Sequence, residues 1–181
     1  ENAERASTQF PDDWNVFVAP PLPYGVTDFA AGFKGAIGIT SDTFQRVLIE
    51  LVGDFIRDGF DHVCLINHHL DPNHLTAMSR ALKALWSTHG KHRVSQPSVL
   101  ERRWGSQLGE EFKSGACHAG EYEGSMVLAA QPELFQHDAA DALPALDLSL
   151  SEGIQAGVQT FLELGMSESY TGNPAGSTEA F

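Results

Sequence analysis

The chain has 181 residues and a mass of 19.6 kDa, enough for one globular domain with a real core and short for two. Eleven Lys and Arg against 24 Asp and Glu give a formal charge of −13 and a pI near 4.8. A protein that binds nucleic acid by neutralising phosphates carries the opposite balance, and anionic membrane surfaces are disfavoured for the same reason. With 42% hydrophobic and 19% charged residues, the body of the chain is expected to fold.

Apolar runs are broken by charge or Gly well short of the roughly 18 residues that a membrane-spanning helix needs. The start, Glu1-Asn2-Ala3-Glu4-Arg5, has no basic flank followed by an apolar segment, so neither a signal peptide nor an anchor is expected. Two cysteines, Cys64 and Cys117, are too few for a disulfide framework in a domain of this size, which points to a reducing cytoplasm.

In chain order, Asn15-Val16-Phe17-Val18-Ala19 reads as a strand closed by a proline-rich extended loop, Pro20-Pro21-Leu22-Pro23-Tyr24-Gly25. Phe44, Val47, Leu48, Leu51, Val52, Phe55 and Ile56 lie on one helical stripe, predicting a helix over residues 41–59 with Ser41 as N-cap and Gly59 past its end. His62-Val63-Cys64-Leu65-Ile66 follows as a short apolar run without alternation, the pattern of a strand covered on both faces. Leu75, Met78, Leu82, Leu85 and Trp86 then predict a second amphipathic helix up to Gly90. A weaker strand is expected over residues 96–100 and a short helix over 102–112. Helical spacing returns over residues 123–130 and again at Ile154, Val158, Phe161 and Leu162. Residues 167–181 read as a loop or tail with little to bury. Strands separated by helix-length segments predict a single three-layer α/β/α domain over residues 1–181 with a mainly parallel central sheet. In such folds ligands gather at the carboxyl ends of strands.

Two polar clusters stand out. Asn67-His68-His69-Leu70-Asp71-Pro72-Asn73-His74 follows the central strand and packs imidazole, carboxamide and carboxylate groups into eight residues. Imidazole with carboxylate suits Zn²⁺, Mn²⁺ or Fe²⁺, and a strand-end loop can turn His69 and Asp71 to one side. The same residues also suit helix capping, with Asn73 or Asp71 as N-cap. The second cluster, Cys117-His118-Ala119-Gly120-Glu121-Tyr122-Glu123-Gly124-Ser125, sits just before an apolar helix. Acidic residues in a first helical turn are ordinary, but a histidine beside two carboxylates is also suited to general acid or base work near neutral pH. No Gly-rich phosphate loop, His-Glu-x-x-His pair or Gly-x-Ser-x-Gly elbow is present, which argues against phosphate-loop nucleotide hydrolysis and serine hydrolysis.

Together the clusters resemble the creatininase family. Asn67-His68-His69-Leu70-Asp71-Pro72 resembles that family's strand-end motif, Asn-Gly-His followed by Gly-Gly-Asn or Tyr-Glu-Asn. His118-Ala119-Gly120-Glu121-Tyr122-Glu123-Gly124-Ser125 resembles its His-Ala-Gly-x-x-Glu-Thr-Ser. Ala19-Pro20-Pro21-Leu22-Pro23-Tyr24-Gly25, Gly32-Phe33-Lys34-Gly35-Ala36, Asp58-Gly59-Phe60 and Tyr170-Thr171-Gly172-Asn173-Pro174 support the match in order. The resemblance implies a metal-dependent hydrolase with Zn or Mn, or Fe, one or two ions per subunit. It would act on a C–N amide bond of a small cyclic or formylated substrate, in a homo-oligomer commonly built as a hexamer. Carried across, His69, Asp71 and Glu123 match metal-ligand positions, His118 the proton donor, and Asn67 a group that orients the histidine or its loop.

Departures accompany the match: His68 stands for a motif Gly, Leu70-Asp71-Pro72 for Gly-Gly-Asn, and Gly124 for Thr. The family's Gly-Ser-x-Glu-x-His-Gly segment followed by Thr-Asp, which supplies further ligands, is not found in these 181 residues. Thr27-Asp28 falls in a different block. The alternative expectation is therefore a non-catalytic binding or structural subunit that retains the fold with an incomplete metal site.

Overall fold

The computed structural model describes residues 8–11 and 14–179. Contacts group them into two compact units, one of residues 22–104 and the other of residues 105–179 with the described residues up to Pro21. Each is described by itself.

The first unit is built on two helices and a strand pair. Helix α1 (Ser41–Arg57) starts at Thr40, whose hydroxyl accepts from the Thr43 amide. The N-cap is thus one residue earlier than the sequence suggested, and Ser41 is already helical. The helix ends as expected at Gly59, which has φ 102°. Phe60 N–H donates to the Phe55 carbonyl and Gly59 N–H to the Ile56 carbonyl. The Phe55 and Phe60 rings meet edge-on at 5.4 Å, completing a Schellman turn with its hydrophobic contact. Strand β1 (Val63–Cys64), helix α2 (Pro72–His89) and strand β2 (Val94–Ser95) form a β-α-β unit in which the strands run parallel, Val63 opposite Val94 and Cys64 opposite Ser95. A parallel pair requires such a crossover. Phe44, Leu48 and Val52 of α1 and Ala77, Met78, Ala81, Leu82 and Leu85 of α2 bury their side chains around Val26 and Val94. This core is what places the loop after β1 against residues 25–29.

Helix α3 (Arg102–Gly105) stands at the end of the first unit, and the second unit carries helices α4 (Glu110–Ser114), α5 (Glu121–Ala130), α6 (His137–Ala142) and α7 (Leu150–Gln155). Its buried residues include Ala116, Tyr122, Leu128, Ala140, Phe161, Met166 and Tyr170.

The α/β class read from the sequence holds, with helices and a small parallel sheet. Several elements differ. Residues 15–19 form no strand, since β propensity alone does not make a ladder. The second strand lies at Val94–Ser95 rather than 96–100, because Pro97 cannot donate to a ladder. The helix expected over 102–112 is two short pieces, Arg102–Gly105 and Glu110–Ser114, divided by residues 106–109. Helix α7 stops at Gln155, and residues 161–165 are turns. The segment after residue 167 buries Tyr170, Thr171 and Pro174 and bridges Gly172 to Leu146. Tyr170 and Pro174 therefore belong to the packed unit. Among the described residues, no helix is long and apolar enough to cross a membrane.

Candidate functional site

The loop after β1 is organised by Asp71 and His74. Pro72 cannot donate a backbone hydrogen bond, which suits the first helical position, and Asp71 before it caps α2. Asp71 Oδ1 accepts from the Asn73 amide at 2.8 Å and the His74 amide at 3.1 Å, while Oδ2 accepts from the Phe29 amide at 2.8 Å. Asp71 is 6% exposed, so these three N–H groups are its solvation. Of the two roles the sequence allowed it, the structure displays the helix cap. Asn73 turns its Nδ2 onto Asp28 Oδ2 at 2.8 Å, so the Thr27-Asp28 block does lie beside this loop.

His69 is exposed, and its Nε2 lies 2.7 Å from the Val26 carbonyl. His74 is 5% exposed; its Nδ1 lies 3.3 Å from the Val26 amide nitrogen and its Nε2 3.0 Å from Asn67 Oδ1. The two imidazoles meet edge-on at 4.8 Å, and Phe44 covers His74 at 4.2 Å. Asn67 accepts from the His69 amide and donates to the His69 carbonyl. Burial, then the neighbouring His69, lower the His74 pKa to about 4, with Asp71 opposing; the ring is neutral at pH 7. A Cβ on Gly25 would lie 2.7 Å from that ring, so the glycine makes room for it. Burial also lowers the His68 pKa.

In the second unit, His118, Glu123 and the start of α5 come together. Gly120 is the N-cap of α5 and has no side chain to cap with. Glu111 of α4 does that work: its carboxylate accepts from the Tyr122 amide at 2.9 Å, the Glu121 amide at 3.0 Å and the Asn173 amide at 2.7 Å. A carboxylate there also meets the positive end of the helix. Glu123 reaches back to the Ala119 amide at 2.6 Å, where Ala119 takes φ 52°. Glu123 Oε2 lies 3.8 Å from His118 Nδ1, beyond direct hydrogen-bond length. The His118 ring stacks on Phe161 at 4.3 Å, and its backbone exchanges hydrogen bonds with Thr171, whose side chain is fully buried. Burial, then Glu123, raise the Cys117 thiol to about 11 and Tyr122 to about 12. Both stay protonated at neutral pH, so Cys117 is not a thiolate nucleophile.

Each cluster is thus assembled locally: Asn67, His69 and Asp71 in one, His118 and Glu123 in the other. Sequence reasoning passed over His74 and Glu111 as organisers. His74 carried a signal in its position on the buried face of α2; Glu111, ten residues before the helix it caps, carried none. Among the described residues, no group of three His, Cys, Asp or Glu could hold a metal ion. With Asp71 engaged by three amides, the residues described do not by themselves make a metal site.

A family model described as creatininase, creatinine amidohydrolase, matches residues 1–181. Similar solved structures are a manganese form, "Creatininase Mn", at 21% identity and TM-score 0.46, and a Glu-to-Gln mutant creatininase of Zn-Zn type at 22% identity and TM-score 0.44. Each match covers 64% of this chain and 49% of that one. A Trp-to-Phe mutant creatininase matches at 17% identity and TM-score 0.48, covering 86% of this chain and 64% of that one. The chain spans about half the length of the first two. No curated protein matches it significantly. The family match runs through the strand-end loop and the His-Ala-Gly segment alike, and the chain belongs to the creatininase family.

Proposed function

We propose that this chain carries part of the machinery of a metal-dependent amidohydrolase that cleaves a C–N amide bond in a small cyclic or formylated substrate. The observation that carries the reading is the family match over residues 1–181, joined to a His118–Glu123 pair set at the start of α5. In this reading His118 donates a proton to the departing amine nitrogen. Glu123 lies 3.8 Å from that imidazole, and Phe161 stacks on the ring. His69 presents an imidazole nitrogen at the strand end, with Asn67 fixing its backbone. Asp71 in the first cluster and Glu123 in the second are each the carboxylate that would donate to a metal ion in its own cluster. The divalent ion, Zn, Mn or Fe, one or two per subunit, requires donors beyond those that the described residues bring together. The reading extends to a three-layer α/β/α architecture around the β1–β2 pair in a single domain, a cytoplasmic setting and a homo-oligomer, of which a hexamer is the form to look for.

Metal analysis and hydrolysis of a panel of cyclic and formylated amides test this together. Bound metal with amide hydrolysis that falls at least about 100-fold in His118→Ala, as loss of a proton donor does, supports the reading. Failure to retain metal after reconstitution, together with tight binding of a small amide that is not turned over, favours instead a non-catalytic subunit; the incomplete donor set is what keeps that alternative in view.

A further inference from the structure

The β1–β2 pair has one face turned to the core of the first unit and one turned away from it. Val63 and Val94 lie opposite each other in the register, and both pack in the core that α1 and α2 build. Side chains alternate along a strand, so the next pair, Cys64 and Ser95, stands on the other face, where Cys64 is exposed and Ser95 partly so. His62, also exposed, closes on Ser95: its Nε2 lies 2.7 Å from Ser95 Oγ, and its Nδ1 lies 2.8 Å from the His92 carbonyl oxygen. A carbonyl can only accept, so Nδ1 carries a proton. A neutral ring then has its lone pair on Nε2, and the Ser95 hydroxyl donates to it. A hydroxyl, an imidazole and an acceptor that fixes the imidazole's tautomer are the three parts of an activated serine nucleophile, here with a backbone carbonyl in the third place. The arrangement does not depend on the Gly-x-Ser-x-Gly elbow that the chain lacks.

The backbone on both sides of the pair is tied down. The Ser95 carbonyl accepts from the Leu65 amide at 2.8 Å, and the Val94 carbonyl beside it accepts from Trp86 Nε1 at 2.8 Å. Arg93 Nη2 donates to the Phe60 carbonyl at 2.7 Å, fastening the segment before His62 to the one that supplies the His92 carbonyl. Nucleophile and base therefore meet in a geometry set before any substrate arrives. Ile66, 64% exposed just past β1, adds apolar surface to this end of the strand.

We propose that Ser95 and His62 form a second reactive centre, made of residues outside the two polar clusters, in which Ser95 accepts the acyl group of a small ester with a short apolar acyl chain. Ser95 Oγ bonds to the ester's carbonyl carbon and the bond from that carbon to the leaving oxygen breaks. The hydroxyl proton passes to His62 Nε2 and from there to the departing oxygen. Nδ1 keeps its proton and its bond to the His92 carbonyl throughout. This chemistry draws on neither a metal ion nor the proposed amide hydrolysis.

The test treats the full chain, and the same chain with Cys64→Ala so that the exposed thiol does not intercept the reagent, with 4-nitrophenyl butyrate. Release of 4-nitrophenol is followed, and the acyl group is located by peptide mass mapping. Acylation at Ser95 is expected in both, faster than at any other serine, and absent in Ser95→Ala. His62→Gln, which keeps a side-chain donor but has no base, is expected to slow it at least about 100-fold. Long-range ¹H–¹⁵N correlation on the ¹⁵N-histidine-labelled chain gives a reading that no variant can spoil by misfolding: His62 is expected to show a protonated Nδ1 and a bare Nε2 at neutral pH. An Nε2–H tautomer of His62, acylation confined to Cys64 or spread evenly over the serines, or an undiminished rate at Ser95 in folded His62→Gln would each overturn the proposal.

Discussion

Asp71 Oδ2 accepts the Phe29 amide at 2.8 Å, joining the start of α2 to a loop 42 residues earlier in the chain. The same carboxylate caps the helix with its other oxygen, so one side chain serves local and long-range structure at once. Asp71→Ala removes the cap and leaves the buried Phe29 amide without its acceptor, an expected loss of about 2–4 kcal/mol. Asp71→Asn keeps a capping oxygen and should cost about half of that. Urea denaturation of both variants checks this; an Asp71→Ala chain as stable as the parent would mean the carboxylate is structurally idle.

Stability should fall with acid because of His74. Its pKa is about 4 in the native chain against 6.5 for the free side chain. Above pH 6.5 the ring is neutral in both states and the native form has its full stability. Between pH 6.5 and 4 the unfolded chain takes up a proton that the native chain resists, so stability declines as pH falls, by on the order of 3 kcal/mol in all. Comparing unfolding at pH 7 and pH 4.5 in the parent and in His74→Gln isolates the contribution. The same slope in both would assign the acid sensitivity to other groups.

Glu111 is expected to matter for folding more than its place in a five-residue helix suggests. Its two oxygens serve three backbone amides, and Glu111→Ala strips all three, at an expected cost of about 2–4 kcal/mol. Glu111→Gln keeps an acceptor without the charge and should recover part of the loss. Thermal melting and far-UV circular dichroism of the two variants decide it; equal damage by both would put the effect on charge alone.

The cysteines should separate in reactivity. Cys64 is exposed, whereas Cys117 is half-buried with its thiol pushed up to about 11 by burial and Glu123. At pH 8 the native chain should take up one equivalent of iodoacetamide quickly, at Cys64, and the second at least about 10-fold more slowly. Both should react in denaturant. Peptide mapping gives the site of first attack, and first attack at Cys117 would contradict the environment described.

The helices of the first unit were legible because an apolar stripe, a glycine stop and an Asp-Pro start each act within a few residues, as they do from Thr40 to Gly59 and from Asp71 to Gly90. Strand positions were not, since Val16, Phe17 and Val18 have the composition of a strand while pairing is decided by chain segments far away. The candidate site divides in the same way. Motif order brought out His69, Asp71, His118 and Glu123, but each of the two clusters is shaped by a contact at long separation: His74 with Val26, 48 residues apart, in the first, and Glu111 with Asn173, 62 residues apart, in the second. A pattern read along the chain registers a capping residue next to its helix; it has no access to a carboxylate that arrives from another one.

That arrangement at the start of α5 bears on ligand choice. The amides of Glu121 and Tyr122 would otherwise form a docking point for phosphate or for a carboxylate-bearing molecule, and Glu111 already fills it with a charge of the chain's own. An incoming anion would have to displace a tethered competitor at very high local concentration. The helix end beside His118 is in this sense self-inhibited toward anions, leaving the neighbourhood to neutral or cationic groups.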